Sequence, residues 1–403
     1  MREGQGKGKR VASLDRRERQ SFLKDVDEFC KELRPIEEVC YVEHNFNDQL
    51  IPLCRKYGLL GIPVRVEYGG RGADSLTYTW ALERIGMEGT GVRTFFSGHT
   101  SIGQVPIQMW GNEDQRKRYL PASTRGEKSL AFGLTEPEAG SNPLEMKMTY
   151  EDTGSHYVLN GVKYLISNAG IAHAIVTFAY PKGRQGKISA FIVDTDKEGI
   201  MTQDLTTKLG MPTANTALFE LQDYPVPKEN LLGSEGDGFK IAMSTLMSGR
   251  LSVAAGCVGV IQDCLNEVVR YSKERSQHGK AIARHQLIQE HIAMIQIALD
   301  AARLLVYKAA RLKSRYDEDP ANPDVRAYAD RMIAEAKFYS ANAAWDAADR
   351  AVQVFGGRGY SYLFRPGRHL QDVRVCRLYE GTDEIMKLKI ASAVLGKEFE
   401  AYR

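Results

Sequence analysis

The chain has 403 residues, 43% hydrophobic and 26% charged, with 54 basic and 51 acidic side chains for a net charge of +3. That length exceeds what one hydrophobic core organises, so two or three packed domains are expected. The balance of charge argues against a nucleic-acid surface, and no run of eighteen apolar residues is free of a charge, which argues against a membrane-crossing helix. In chain order, residues 1–12 carry Arg2, Lys7, Lys9 and Arg10 among glycines and read as a flexible tail. The segment has no apolar stretch after its charges, and Glu3, Asp15 and Glu18 break the acid-poor pattern of a transit peptide. A cytoplasmic location is therefore the default.

Residues 13–127 read as a helical domain. Phe22, Val26, Phe29 and Leu33 recur at spacings of three and four, which makes one apolar face. A glycine cluster at 69–72 forces a loop before a helix resumes near Ser75. Residues 128–237 change texture: SHYVLNGVKYLIS, HAIVTFAYP, KISAFIVDTD and ALFELQDYPVP are β-branched and aromatic runs bounded by turn formers. Antiparallel strands in a small β-barrel or a pair of sheets are expected. Residues 238–403 return to long helical patterns near 238–275, 281–317 and 325–355, separated by the polar turn DEDPANPD, as in a four-helix bundle. The predicted fold class is α+β multidomain. Alanine-rich stretches at 298–303 and 340–351 allow close helix approach, either between subunits or within the bundle. The six cysteines show no C-x-x-C spacing and no adjacent histidine pair, so they read as reduced thiols with no metal site.

Three segments carry candidate chemistry. AFGLTEPEAGSNP, residues 131–143, offers small residues for close backbone approach and the hydroxyls of Thr135 and Ser141, and it also fits an ordinary turn. QVFGGRGY, residues 353–360, follows a helix and would serve equally as its C-cap; no strand precedes it, so it is not a dinucleotide fingerprint. In RVCRLYEGTDEI, residues 374–385, Glu380 sits on a tight turn, either as a reactive carboxylate or as the neighbour of a helix capped by Thr382.

Taken in order, EYGG, LTEPEAGS, KYLISN, ERSQHGK with HQLIQ, and QVFGGRGY followed by YEGT resemble the acyl-CoA dehydrogenase family over about residues 13–397. The resemblance implies FAD as cofactor, an acyl-CoA substrate, an electron-transfer flavoprotein or similar acceptor, and a homotetramer. By the family's motifs, flavin contacts fall on Phe132, Leu134, Thr135 and Ser141, on Leu165, Ile166 and Ser167, and on Thr382 and Glu384. Arg275 and Gln286, with Gln353, Gly356 and Gly357 of a neighbouring subunit, would hold the pyrophosphate and adenosine. Glu380 would abstract the α-proton of the thioester while hydride leaves the β-carbon for flavin N5, giving the 2-enoyl-CoA. Some relatives carry the base on a bundle helix at the position of Gly249, before Arg250; only the YEGT position holds a carboxylate here.

The same resemblance places Arg93, Ser97, Ser141, Arg250 and Gly381 around the substrate. In glutaryl-CoA dehydrogenases an arginine at the position of Arg93 binds the far carboxylate of a dicarboxylic chain. Otherwise Arg93 would pair with a protein carboxylate such as Glu88, or face solvent. The sequence departs from the pattern at Leu165, where an aromatic is usual, at His278, where phenylalanine is usual and which reads as an ordinary structural histidine, and at Asn142, where aspartate is usual. Rival readings are a dehydrogenase of carrier-protein-bound acyl groups, a flavin oxidase, and a non-catalytic scaffold of the same fold.

Overall fold

A computed structural model of the chain describes residues 14–184, 186–399 and 401; the expected flexible tail at 1–12 lies outside them. The first block contains α1 (Arg16–Glu43), α2 (Leu50–Tyr57), α3 (Ser75–Glu88), α4 (Thr90–Phe96), α5 (Val105–Trp110) and α6 (Glu113–Thr124). Asp15 and Glu18 form a reciprocal capping box that starts α1. The predicted face, Phe22, Val26, Phe29 and Leu33, is buried. Between α4 and α5 the backbone widens into a π-helical stretch, Ser97–Gln104, that the apolar periodicity did not announce. Such insertions concentrate at functional sites, because they re-aim the side chains that follow.

The middle block is β1 (Leu130–Gly133), β2 (Thr149–Asp152), β3 (His156–Ser167), β4 (Ala174–Pro181), β5 (Ser189–Asp194), β6 (Ile200–Asp204), β7 (Thr216–Pro227) and β8 (Leu231–Leu232). Its order is β6-β7-β3-β2-β4-β5-β8, with β1 on β4. The expectation of antiparallel strands holds for most pairs, but β1–β4 and β2–β4 are parallel. Alternating hydrophobicity specifies which face of a strand is buried and leaves its direction open. The sheet wraps around a core to which Ala131, Tyr150, Leu159, Ile175, Phe191 and Phe219 contribute from six strands.

The last block is α7 (Gly238–Glu274), α8 (Gln286–Glu318), α9 (Pro323–Phe355), α10 (Arg365–Val373) and α11 (Asp383–Leu395), with a short hairpin of β9 (Ser276–Gln277) and β10 (Lys280–Ala281) after α7. By length and composition α7 could cross a membrane, but 89% of its most apolar window is buried inside the protein. Ala341, Ala344, Ala347, Ala348 and Ala351 are fully buried in α9, which makes that stretch an intramolecular seam. The two helical blocks share one core, running from Phe22 and Leu33 through Ile85 and Phe96 to Val260 and Val306. Glycines let α3 and α7 touch backbone to backbone: a Cβ on Gly86 would lie 2.6 Å from the Gly256 carbonyl oxygen, and one on Gly259 would strike the Glu83 carbonyl.

Candidate active site

Thr382 caps α11 by accepting the Ile385 amide, so the capping reading of this turn holds. Glu380 precedes the cap with φ 55°, a left-handed conformation that a non-glycine residue keeps only where its surroundings impose it. Those surroundings are visible. Arg250 of α7 donates Nε to the Glu380 carbonyl at 2.9 Å, and Lys337 of α9 donates Nζ to the Gly381 carbonyl at 2.7 Å. Arg377 and Asn342 bind the Asp383 carboxylate at 2.7 and 3.0 Å, anchoring the first turn of α11.

Glu380 as a whole is half-buried, but its Oε2 is sealed from solvent and has no hydrogen-bond partner among the described residues. The carboxylate lies against Gly249, where a Cβ would sit 2.5 Å from both of its oxygens. The two positions at which the family resemblance allows a base thus face each other across one small space, and a side chain at 249 would occupy the room Glu380 uses. Burial pushes the Glu380 pKa up to about 7, opposed by the charges of Arg250, Arg93 and Lys337. A carboxylate with that proton affinity and a free oxygen is equipped to accept a proton from carbon near neutral pH.

Arg93 is 1% exposed. Its Nη2 donates to Thr94 Oγ1 at 2.9 Å and to the Tyr379 hydroxyl, its guanidinium stands over the Tyr379 ring 5.4 Å from the centroid, and Gly256 leaves room for its stem. Glu88, the protein partner considered for it, is bound by Arg34 at 2.8 Å through both carboxylate oxygens. Among the described residues no carboxylate lies within ion-pair distance of Arg93, a costly arrangement for a buried charge unless a ligand supplies the anion. Ser97 is buried one turn further on, at the start of the π-helical stretch. His99, within that stretch, is held neutral: burial drops its pKa to about 4, and Nδ1 accepts the Leu130 amide at 3.1 Å.

Two of the flavin-motif segments are joined by hydrogen bonds. Tyr164 donates its amide to the Thr135 carbonyl at 2.9 Å, and the buried Lys163 joins the Leu134 carbonyl at 3.2 Å to Glu136 at 2.8 Å. These bonds tie Phe132–Ser141 to Leu165–Ser167. Asn168 donates to the Phe95 carbonyl at 3.0 Å, which docks this edge on α4, and a Cβ on Gly98 would lie 3.5 Å from Ser167 Cβ. Leu165 is at φ 58° and 54% exposed, and nothing lies within 4 Å of a Cβ built on Gly140, beside the exposed Ser141. An exposed apolar side chain beside an open backbone cradle fits a planar ring. Thr382 lies on the base's own turn, and Glu384 is exposed after it, its carboxylate lowered by a backbone amide and the Thr382 hydroxyl.

The remaining residues lie elsewhere. Arg275, His278, Gly356 and Gly357 line an open cleft of 730 Å³, floored by the stacked rings of Tyr271 and Phe355 at 4.1 Å. Gln286, at the start of α8, and Gln353, in the last turn of α9, are exposed. His278 is exposed on this cleft, so the reading of it as a packed structural residue is not what the fold shows. Gly249 lies in the first half of the uninterrupted α7 and Arg275 caps its far end, and at about 1.5 Å per residue they are about 39 Å apart. That exceeds the reach of one FAD molecule. The ring-binding and adenosine-binding candidates of one chain therefore cannot serve the same flavin.

Matches to known proteins cover all three blocks. Residues 16–127, 131–224 and 236–395 match the acyl-CoA dehydrogenase N-terminal, middle and C-terminal domains. The chain belongs to the acyl-CoA dehydrogenase family. It is an oxidoreductase of that family. An acyl-CoA dehydrogenase of Bacillus subtilis is 39% identical over 368 residues, 91% of this chain and 94% of that protein. A subunit of the caffeyl-CoA reductase–Etf complex of Acetobacterium woodii is 37% identical, covering 87% of this chain and 91% of its own. Among solved structures, butyryl-CoA dehydrogenase from Megasphaera elsdenii has a TM-score of 0.87 at 34% identity, covering 94% of this chain and 98% of its own. Glutaryl-CoA dehydrogenase from Mycobacterium smegmatis in complex with FADH2 has a TM-score of 0.87 at 27% identity, with 97% of both chains covered. Motif reading missed Lys337 and Tyr379, which grip the base's turn and Arg93. The signal available for Lys337 was a lysine among the alanines of a buried helix face.

Proposed function

We propose that the protein oxidises an acyl-CoA thioester to its 2-enoyl-CoA, with Glu380 as the base that removes the α-proton. The observation that carries this reading is the Glu380 carboxylate itself: buried, with one oxygen unpartnered, packed on the side-chain-free Gly249 and holding a pKa of about 7. The α-hydrogen of a thioester is weakly acidic, so the site must both take the proton and stabilise charge at the carbonyl. The left-handed turn presents the carboxylate, and the Glu380 amide at the same turn donates to the thioester oxygen. FAD is the cofactor; when bound it accepts the β-hydrogen with its electron pair. Phe132, Leu134, Thr135, Ser141, Leu165, Ile166, Ser167, Thr382 and Glu384 hold its ring end. Arg275, Gln286, Gln353, Gly356 and Gly357 of a neighbouring subunit hold its pyrophosphate and adenosine, because the same chain's Arg275 stands about 39 Å along α7 from Gly249. That division of the site requires an oligomer, and the family resemblance makes it a homotetramer.

The acyl chain on this reading is dicarboxylic. Arg93 is a buried cation with no carboxylate within ion-pair distance among the described residues, and it is joined to Tyr379, the residue before the base. It would pair with the far carboxylate, with Ser97 beside it and Arg250 and Gly381 near the thioester. An electron-transfer flavoprotein would reoxidise the enzyme, the role suggested by the relative named as part of an Etf complex. The test is anaerobic titration of the purified flavoprotein with glutaryl-CoA and straight-chain acyl-CoAs. Glu380→Gln should keep FAD bound and lose bleaching of the flavin by substrate; full bleaching in that variant would end the assignment of the base.

A further inference from the structure

The chemistry so far uses the Glu380 side chain and leaves Lys337 unexplained. Lys337 is fully buried in α9, a residue type that is almost never so placed without a charged partner. Its one hydrogen bond is to the Gly381 carbonyl, 2.7 Å away, and among the described residues no carboxylate lies within ion-pair distance of its ammonium. Asp383, the nearest acid in sequence, is already bound by Arg377 and Asn342. A carbonyl satisfies one donor and balances no charge.

Resting on the assignment of Glu380 as the base, we propose that Lys337 is a positioning residue of the proton-abstracting turn: it fixes the Gly381 carbonyl, and its ammonium is one of the counter-charges that favour the ionised form of Glu380. Two successive carbonyls of the turn, Glu380 and Gly381, are gripped by two buried cations, Arg250 from α7 and Lys337 from α9. The grip holds Glu380 at its positive φ between two helices that share one core, so the carboxylate lies against Gly249 with its buried Oε2 unpartnered among the described residues. A base with an unpartnered oxygen and a clamped backbone is placed for attack and remains basic.

The charged and titratable groups facing Glu380 are few. Arg250 comes from α7 and also lies 3.7 Å from Asp330, which Lys389 of α11 neutralises. Arg93 comes from α4 and Lys337 from α9; Tyr379, Cys376 and Asp383 come from the base's own segment, and Cys257 from α7. Arg250 shares Asp330 with Lys389, and Asp383, the other acid acting on Lys337, is already bound by Arg377 and Asn342, so Lys337 and Glu380 meet as a cation and an acid that no ion pair between them or with a third group fully satisfies. Its charge opposes the rise that burial imposes on Glu380, and Glu380 in turn offsets burial's lowering of Lys337.

The experiment is a pH titration of the Glu380 carboxyl band by infrared difference spectroscopy on the FAD-loaded protein, with the band assigned by its loss in E380Q. Lys337→Met removes donor and charge; Lys337→Gln keeps a donor for Gly381 and removes the charge. Both should raise the proton affinity of Glu380 about tenfold or more, moving the midpoint up by about one pH unit. Flavin reduction by acyl-CoA should fall near neutrality and recover towards alkaline pH. An unshifted midpoint in both variants overturns the proposal, and so does failure of both to fold with FAD, since that marks a purely structural lysine. A wild-type protein that no acyl-CoA bleaches would defeat the dehydrogenase reading, while the carboxyl titration would still report on Lys337.

Discussion

The contact between Gly249 and Glu380 can be tested by adding one carbon. In Gly249→Ala the new Cβ would lie 2.5 Å from both carboxylate oxygens, whereas non-bonded contacts of this kind settle near about 3.5 Å. The carboxylate or the helix must therefore move by about 1 Å. Helix α7 cannot yield, because Leu251, Val253, Ala254 and Ala255 are locked in the shared core immediately beyond this turn. The displacement falls on Glu380, and a 1 Å error at a reacting group costs on the order of 100-fold in rate. Overpacking should cost about 1 kcal/mol of stability, the lower end of its range, because an unbonded side chain absorbs the shift. Anaerobic stopped-flow reduction of the flavin at saturating acyl-CoA measures the first effect, with FAD absorbance and the melting temperature as controls. A rate within about threefold of wild type, less than 1 kcal/mol of barrier, would show that Glu380 is not seated on Gly249 as described.

Two further outcomes are expected. Asp372 is buried, accepts the Tyr41 hydroxyl at 2.8 Å and the Met211 amide at 2.5 Å, and burial raises its pKa to about 7; a carboxyl whose folded pKa lies above its unfolded value stabilises the fold while protonated, so melting temperature should decline as pH rises through 7 and Asp372→Asn should flatten that decline in differential scanning fluorimetry. Arg93→Met should reduce kcat/KM for glutaryl-CoA by about 100-fold or more, the value of a buried charge-assisted pair, and leave butyryl-CoA within about tenfold; equal losses on both substrates would refute a carboxylate-binding role.

What the sequence disclosed, and what it did not, follows from the range over which each signal acts. Spacing of Phe22, Val26, Phe29 and Leu33 is local and predicts a buried helix face correctly. Strand composition marks the middle block, but the parallel pairing of β1 and β2 with β4 depends on chain path, which no local pattern encodes. The merging of the two helical blocks into one core depends on Gly86, Gly256 and Gly259, whose role is to let backbones 170 residues or so apart in sequence touch. Glu380 was readable both as a cap neighbour and as a base, and the turn is built to allow both: Thr382 caps the helix, and Glu380, two residues before the cap, is thrown into the left-handed region. Lys337 stayed hidden because a lysine in a helical pattern is ordinarily solvated, and only the fold shows this one sealed.

Three cations, Arg93, Arg250 and Lys337, surround the single carboxylate of Glu380, and their combined effect decides how the site is used. If all three served the base alone, its pKa would be driven low and it would be a poor acceptor for a carbon-bound proton; instead burial outweighs them and leaves it at about 7. The surplus positive charge has another use. In the proposed reaction, negative charge develops at the thioester carbonyl as the α-proton leaves and Glu380 becomes neutral in the same step, so the cations that faced the carboxylate would be left to face the substrate. Arg250 and Lys337 are tied to the turn's carbonyls and stay where that charge appears, whereas Arg93 is tied to Thr94 and Tyr379 on the chain side. On the proposed reading two electrostatic tasks are separated, proton transfer at the turn and recognition of an anionic chain end at Arg93, and the loss of one should leave the other measurable.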